Sequence, residues 1–117
     1  MTDPLTMPRI YVCGPFTLPD PLVNMKTAID AADALLEMGC APYLPHLSGL
    51  WHLLHPHDYE TWLALDLVWL AQCEAVLRLP GASAGADRET ACARDVLHIP
   101  VFATIQEVAA WGQGRLR

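Results

Sequence analysis

A chain of 117 residues has room for one domain built around one core. With 53% hydrophobic and 17% charged residues it falls outside the disordered class, and a mean hydropathy of +0.24 with four tryptophans leaves apolar surface to be buried between subunits. The net charge of -6 argues against a phosphate-backbone binder, so nucleic acid is not an expected partner.

Residues 9–13 form an apolar run rich in strand formers, stopped by Gly14-Pro15, and a proline-rich loop follows to Pro21. From Leu22 onward, Met25, Ala28, Ile29, Ala32, Leu35 and Leu36 repeat at the spacing of one helix face until Gly39 ends the helix. Residues 41–44 read as a second strand and 45–57 as a long functional loop of Pro, His, Ser and Gly. Asp58 is a good N-cap for a helix reaching about residue 72. Residues 74–79 are the third strand, 81–85 a small-residue loop, 86 to about 97 a third helix, and 99–103 the fourth strand. Thr104 and Glu107 make a capping box for a last helix from residue 105 to about 113.

Strict alternation of short apolar strands with helices predicts a small, flavodoxin-like, doubly wound α/β domain, three layers deep, with a parallel sheet. Ligands bind such folds beyond the carboxyl ends of the strands, where strand order reverses, which singles out the loops at 14–22, 45–57 and 80–85. The four cysteines, Cys13, Cys40, Cys73 and Cys92, form no Cys-x-x-Cys pair, and residues 1–8 lack a basic stretch followed by an apolar core. The expectation is a reduced, cytoplasmic protein. The longest run free of both charges and turn formers is much shorter than the ~20 residues of a membrane helix, so no membrane partner is expected.

The most informative residue is Asp66. It stands alone in the stretch WLALDLVWLA, which is otherwise apolar on every side and is expected to be buried all round. A carboxylate there needs a partner. One reading pairs it with Arg78 or Arg88 or with loop backbone; the other gives it a ligand hydroxyl or base. Trp62, Trp69 and Cys73 share its helical stripe, a surface suited to a subunit interface or a nucleobase.

The second constellation is the loop from Gly81 through Ser83 and Gly85 into Asp87 and Glu89. Free N–H groups at a helix start can hold an anion, and the helix dipole favours an ionised Glu89. A carboxylate nucleophile at a cleft divides glycosyl transfer into two steps through a covalent sugar intermediate, and Glu89 with Asp66 supplies the pair. The loop histidines His46, His52, His55 and His57 read as ligand contacts, as surface residues without a role, or as zinc ligands. The zinc reading is the weaker one, because no Cys lies in the loop and no His-x-x-x-His pair fixes two ligands on one helical face.

Ile10-Tyr11-Val12-Cys13-Gly14-Pro15, Asp66 followed by Trp69-Leu70 and Cys73-Glu74-Ala75-Val76, and Ser83-x-Gly85-x-x-x-Glu89 together resemble the nucleoside 2-deoxyribosyltransferase superfamily. The resemblance spans residues 9–102. It is nearest to the short branches, the 2'-deoxynucleoside 5'-phosphate N-hydrolases and their small phage and bacterial relatives. It implies a homodimer or higher homo-oligomer, with no cofactor and no metal, acting on a nucleoside or nucleotide. Glu89 is implied to attack the anomeric carbon and Asp66 to orient the sugar or protonate the leaving base. Tyr11, Gly14, Pro15 and His46 are placed in the sugar and base pocket, and Ser83 and Gly85 on a 5'-hydroxyl or 5'-phosphate. Thr90 and Ala91 follow Glu89, where many members carry a small residue and then glycine. The transferases complete each site with residues near a neighbour's C-terminus. No such feature is identifiable in residues 111–117, so hydrolysis is expected ahead of transfer. The competing readings are a non-catalytic nucleotide-binding or sensor domain, and a structural dimer with Trp62 and Trp69 between subunits.

Overall fold

The computed structural model describes residues 3–115. The C-terminal segment examined for a partner-site feature therefore lies partly outside the described residues, at 116–117. Strands β1 (Arg9–Cys13), β2 (Ala41–Tyr43), β3 (Ala75–Arg78) and β4 (Val101–Phe102) form one four-stranded parallel sheet in the order β2-β1-β3-β4. Helix α1 (Pro21–Glu37) links β1 to β2; α2 (Ser48–Leu54) and α3 (Tyr59–Leu70) link β2 to β3; α4 (Ala84–Cys92) links β3 to β4; and α5 (Ile105–Arg115) closes the chain. This is the α/β arrangement expected from the alternating pattern.

Side-chain alternation along β1 divides the core in two. Ile10 and Val12 point to one face, where they pack with Ala28 and Leu35 of α1 and Val108 of α5. Tyr11 and Cys13 point to the other face, with Leu70 of α3 and Ala86 of α4. The layers are therefore α1 and α5, the sheet, then α3 and α4. Strand order reverses between β1 and β3, because α1 carries the chain outward to β2 on one side and α4 carries it to β4 on the other.

The helix ends follow local chemistry. Asp20 caps α1 by accepting from Leu22 N–H at 2.9 Å, and Pro21 takes the first position, where no N–H is needed. At the other end Gly39 adopts φ +87, and the amides of Gly39 and Cys40 bond the carbonyls of Leu36 and Leu35. Thr104 and Glu107 form the predicted capping box of α5.

Three expectations are corrected. Residues 45–57 are not one loop: a short 3-10 turn, Pro45–Leu47, leads into the seven-residue α2. Its sequence SGLWHLL contains no proline, and Pro45 and Pro56 bracket it. The helix after β3 begins at Ala84 rather than 86, since Ser83 caps it by accepting from Ala86 N–H at 3.1 Å. It ends at Cys92, and a π-helical turn, Ala93–Leu97, continues to His98, which is left-handed at φ 55. Helix α3 is not buried all round. Leu63 and Leu70 are buried, whereas Val68 and Trp69 are 58% and 46% exposed, because only the side of α3 that faces the sheet finds a partner within the chain.

Among the described residues, no helix is long and apolar enough to cross a membrane.

Candidate functional site: a carboxylate cleft at the strand ends

A cleft of about 650 Å³ opens over the carboxyl ends of β1 and β3, at the reversal of strand order. Four segments wall it: the turn after β1, the segment from Pro45 through α2, one face of α3, and the loop and first turn of α4. Gly14 lets the strand ends meet, since a Cβ there would fall 2.9 Å from Leu79 Cβ. Arg78 ties the far side together, donating to the carbonyls of Leu79 and Gly81 and pairing with Asp87 at 3.2 Å.

Asp66 and Glu89 both line this cleft. Asp66 projects from α3 with Trp62 and Tyr59 on the same helical face, four and seven residues earlier. The arginine pairing considered for it does not form: Arg88 pairs with Glu60 at 2.8 Å and Arg78 with Asp87. Burial, and then the nearby charge of Glu89, push the Asp66 carboxyl up to about 7. Asp66 is thus a carboxylic acid able to hold a proton near neutrality.

Glu89 sits one and a half turns into α4 and is only 9% exposed. Its Oε2 accepts the hydroxyl hydrogen of Tyr11. Burial raises the Glu89 pKa, while the Tyr11 hydrogen bond and the Arg78 charge oppose that rise and favour the carboxylate. Tyr11 itself is fully buried and does not line the cleft. The placement expected from sequence is corrected: the alternation of β1 directs Tyr11 under α4, where it supports Glu89 from below. Its own hydroxyl is held protonated, with the pKa raised by burial and then by the charges of Glu89 and Asp66. Its ring stacks on Tyr43 at 5.8 Å, and Tyr43 stacks on Trp69 at 6.0 Å.

The remaining expected residues gather at the same place. Gly14, Pro15, His46, Ser83 and Gly85 all line the cleft. His46 is 5% exposed, and its Nε2 lies 3.0 Å from the Pro15 carbonyl. A carbonyl only accepts, so Nε2 carries the hydrogen and Nδ1 is a bare acceptor, buried without a protein partner. Burial holds the His46 pKa below the ordinary imidazole value, which keeps the ring neutral. The first turn of α4, Ala84 through Ala86, lines the cleft beside Ser83, and the Ser83 hydroxyl accepts from the Ala86 N–H.

Trp62, read from sequence as part of the Asp66 stripe, and His52 and His57, read as ligand contacts, as surface residues or as zinc ligands, line the cleft, whereas Trp69, Cys73 and His55 do not line it. Tyr59 was missed, although its helical spacing of seven residues back from Asp66 was an available signal. Cys13, buried and donating to the Ala86 carbonyl at 3.4 Å, has its thiol pushed up by burial and by Glu89, so it is no nucleophile. Among the described residues, no cluster of three or more His, Cys, Asp or Glu side chains could hold a metal ion.

Fold and cleft together define a doubly wound α/β domain with a paired-carboxylate pocket at its switch point. Residues 8–103 match DUF7768, a domain of unknown function, and the chain belongs to that family. No curated protein matches its sequence.

Proposed function

We propose that this protein cleaves the N-glycosidic bond of a nucleoside or nucleoside 5'-monophosphate in two steps through a Glu89 ester, without metal or redox cofactor. The observation that carries this reading is the pairing, in one cleft, of a carboxyl held near neutrality at Asp66 with a carboxylate braced by Tyr11 at Glu89.

In the first step Glu89 Oε1, the oxygen not engaged by Tyr11, attacks the anomeric carbon. The C–N bond breaks, its electron pair leaves with the base, and the Asp66 proton goes to the departing nitrogen. The Glu89 charge is one cause of the raised Asp66 pKa, so its conversion to a neutral ester removes that cause and eases the proton transfer. In the second step water attacks the same carbon and gives its proton to the Asp66 carboxylate, and Glu89 leaves. Configuration is retained. The α4 first turn, with Ser83 and Gly85, is suited to a 5'-hydroxyl or 5'-phosphate.

The sequence resemblance to the nucleoside 2-deoxyribosyltransferase superfamily supports this reading, and we propose with it a homodimer formed over the exposed apolar side chains of α2 and α3. We place the protein in the cytoplasm on its unpaired cysteines and net negative charge.

The deciding experiment is base release, followed by chromatography over a panel of nucleosides and their 5'-monophosphates, with and without a second free base. Wild type is expected to turn over at least one of them and Glu89→Ala none, with a folded far-UV spectrum in both. Turnover by Glu89→Ala would remove Glu89 from the mechanism. Binding without turnover by wild type would make the domain a nucleotide sensor.

A further inference from the structure

The proposed chemistry leaves His52 of α2, and His55 and His57 just beyond it, without a task. One of them is held in a defined state. The indole N–H of Trp62 donates to His52 Nδ1 at 2.7 Å, and the backbone N–H of His57 approaches the same atom at 3.3 Å. An indole N–H has no acceptor capacity, so Nδ1 is the accepting nitrogen and the ring hydrogen of the neutral imidazole belongs on Nε2. The indole also packs edge-to-face with Trp51 and His57, at ring-centroid distances of 5.1 and 5.4 Å. His52 lines the cleft, and the ring edge it has left for a ligand is a hydrogen-bond donor.

The position along α3 says which part of a ligand lies there. Trp62 precedes Asp66 by four residues, which places it on the same helix face about 6 Å away along the axis. Both line the cleft. In the proposed reaction Asp66 gives its proton to the leaving group, so the atoms lying one turn along α3, against Trp62, belong to that leaving group as well. Tyr59 and Trp62 give this end aromatic side chains suited to a flat heteroaromatic ring.

We infer that His52 is a specificity-determining residue for the leaving base, donating its Nε2–H to an in-plane acceptor, a ring nitrogen or carbonyl oxygen, while Trp62 is the positioning residue that sets the tautomer. This rests on the proposed cleavage for the orientation of the ligand, and the test is therefore independent of turnover.

The probes are free adenine, guanine, cytosine, uracil and thymine, each titrated into protein carrying ¹⁵N-histidine and observed by NMR. Wild-type His52 is expected in the Nε2–H form, and at least one base should move its Nε2 resonance. His52→Gln, whose amide nitrogen falls near Nε2, should hold that base within about threefold of wild type. His52→Asn, whose amide falls near Nδ1, should lose about tenfold, as for one missing hydrogen bond. Trp62→Phe keeps the ring but not the donor. It should leave the His57 N–H as the remaining donor to His52 Nδ1, raise the share of the Nδ1–H form above that in wild type, and weaken the same base. An Nδ1–H tautomer in wild type, equal affinities in the Gln and Asn variants, or no base moving the resonance would each overturn the inference. If a base binds in this way but no nucleoside is ever cleaved, the catalytic reading fails and the His52 contact stands.

Discussion

Tyr11 has one hydroxyl hydrogen, and it goes to Glu89. Donation to a carboxylate favours its ionised form, so Tyr11→Phe raises the Glu89 pKa and moves the acid limb of the kcat/KM profile to higher pH. The measurement is base release across pH 5 to 9, with the variant losing more activity at the acid end than at the alkaline end. The same change leaves a buried carboxylate short of a donor, and a cost of about 1–3 kcal/mol is expected in urea denaturation. Asp66 shifts in the opposite sense to a salt-bridged carboxylate. Its folded pKa of about 7 lies above the ordinary 3.8, so between those values the folded state binds more protons than the unfolded, and stability falls as pH rises through that window. Asp66→Asn has no such titration. It should melt above wild type at pH 8, with the gap closing toward pH 4, while losing base release throughout. Melting temperatures of both proteins at the two pH values check the sign. Asp66 stood out in the sequence as the lone charge in an apolar stretch. Tyr11 read as a pocket wall, because only the strand's two-residue period, once its partners are known, assigns it to the inner face.

Helix α4 carries Glu89, and its start is set by Ser83. Ser83→Ala removes the cap on Ala86 N–H and is expected to cost about 1 kcal/mol in thermal or chemical denaturation. Activity should fall further than stability, since the first-turn amides lose their fixed direction. The sequence located this helix but began it two residues late, because Gly81 through Gly85 is small and polar enough to pass for loop. The end of α1 and the start of α5 were legible for the converse reason: Gly39, and Thr104 with Glu107, make the local bonds their residue types favour. Helix α2 was not legible. Seven residues between prolines give too few turns for a periodic signal, and most of its apolar side chains face outward rather than into the core.

At the scale of the molecule, exposed apolar side chains occur on several elements, and α2 with the outer side of α3 carries one group of them. Leu50, Leu53, Leu54 and Val68 are each more than half exposed, and Trp51 is 51% exposed. Buried against a second copy, this face accounts for the apolar excess of the composition. Sedimentation equilibrium is expected to return twice the chain mass, and Leu54→Glu should shift the equilibrium toward the single chain. A wild type that sediments as one chain at high micromolar concentration would rule the dimer out. The parallel sheet and its switch point followed from the alternation of strand and helix. The cleft's position followed from them in turn.

The two-sided core has a further consequence for how the protein tolerates change. Everything assigned a chemical task sits above the strand ends or on the α3 and α4 side, while α1 and α5 cover the reverse face of the sheet, with Asn24 of α1 also tying the cleft residues Phe16 and Leu18 through their carbonyls. A randomised library restricted to that reverse face should therefore drift in thermal tolerance with its turnover preferences left alone, so that robustness and selectivity can be evolved as separate traits.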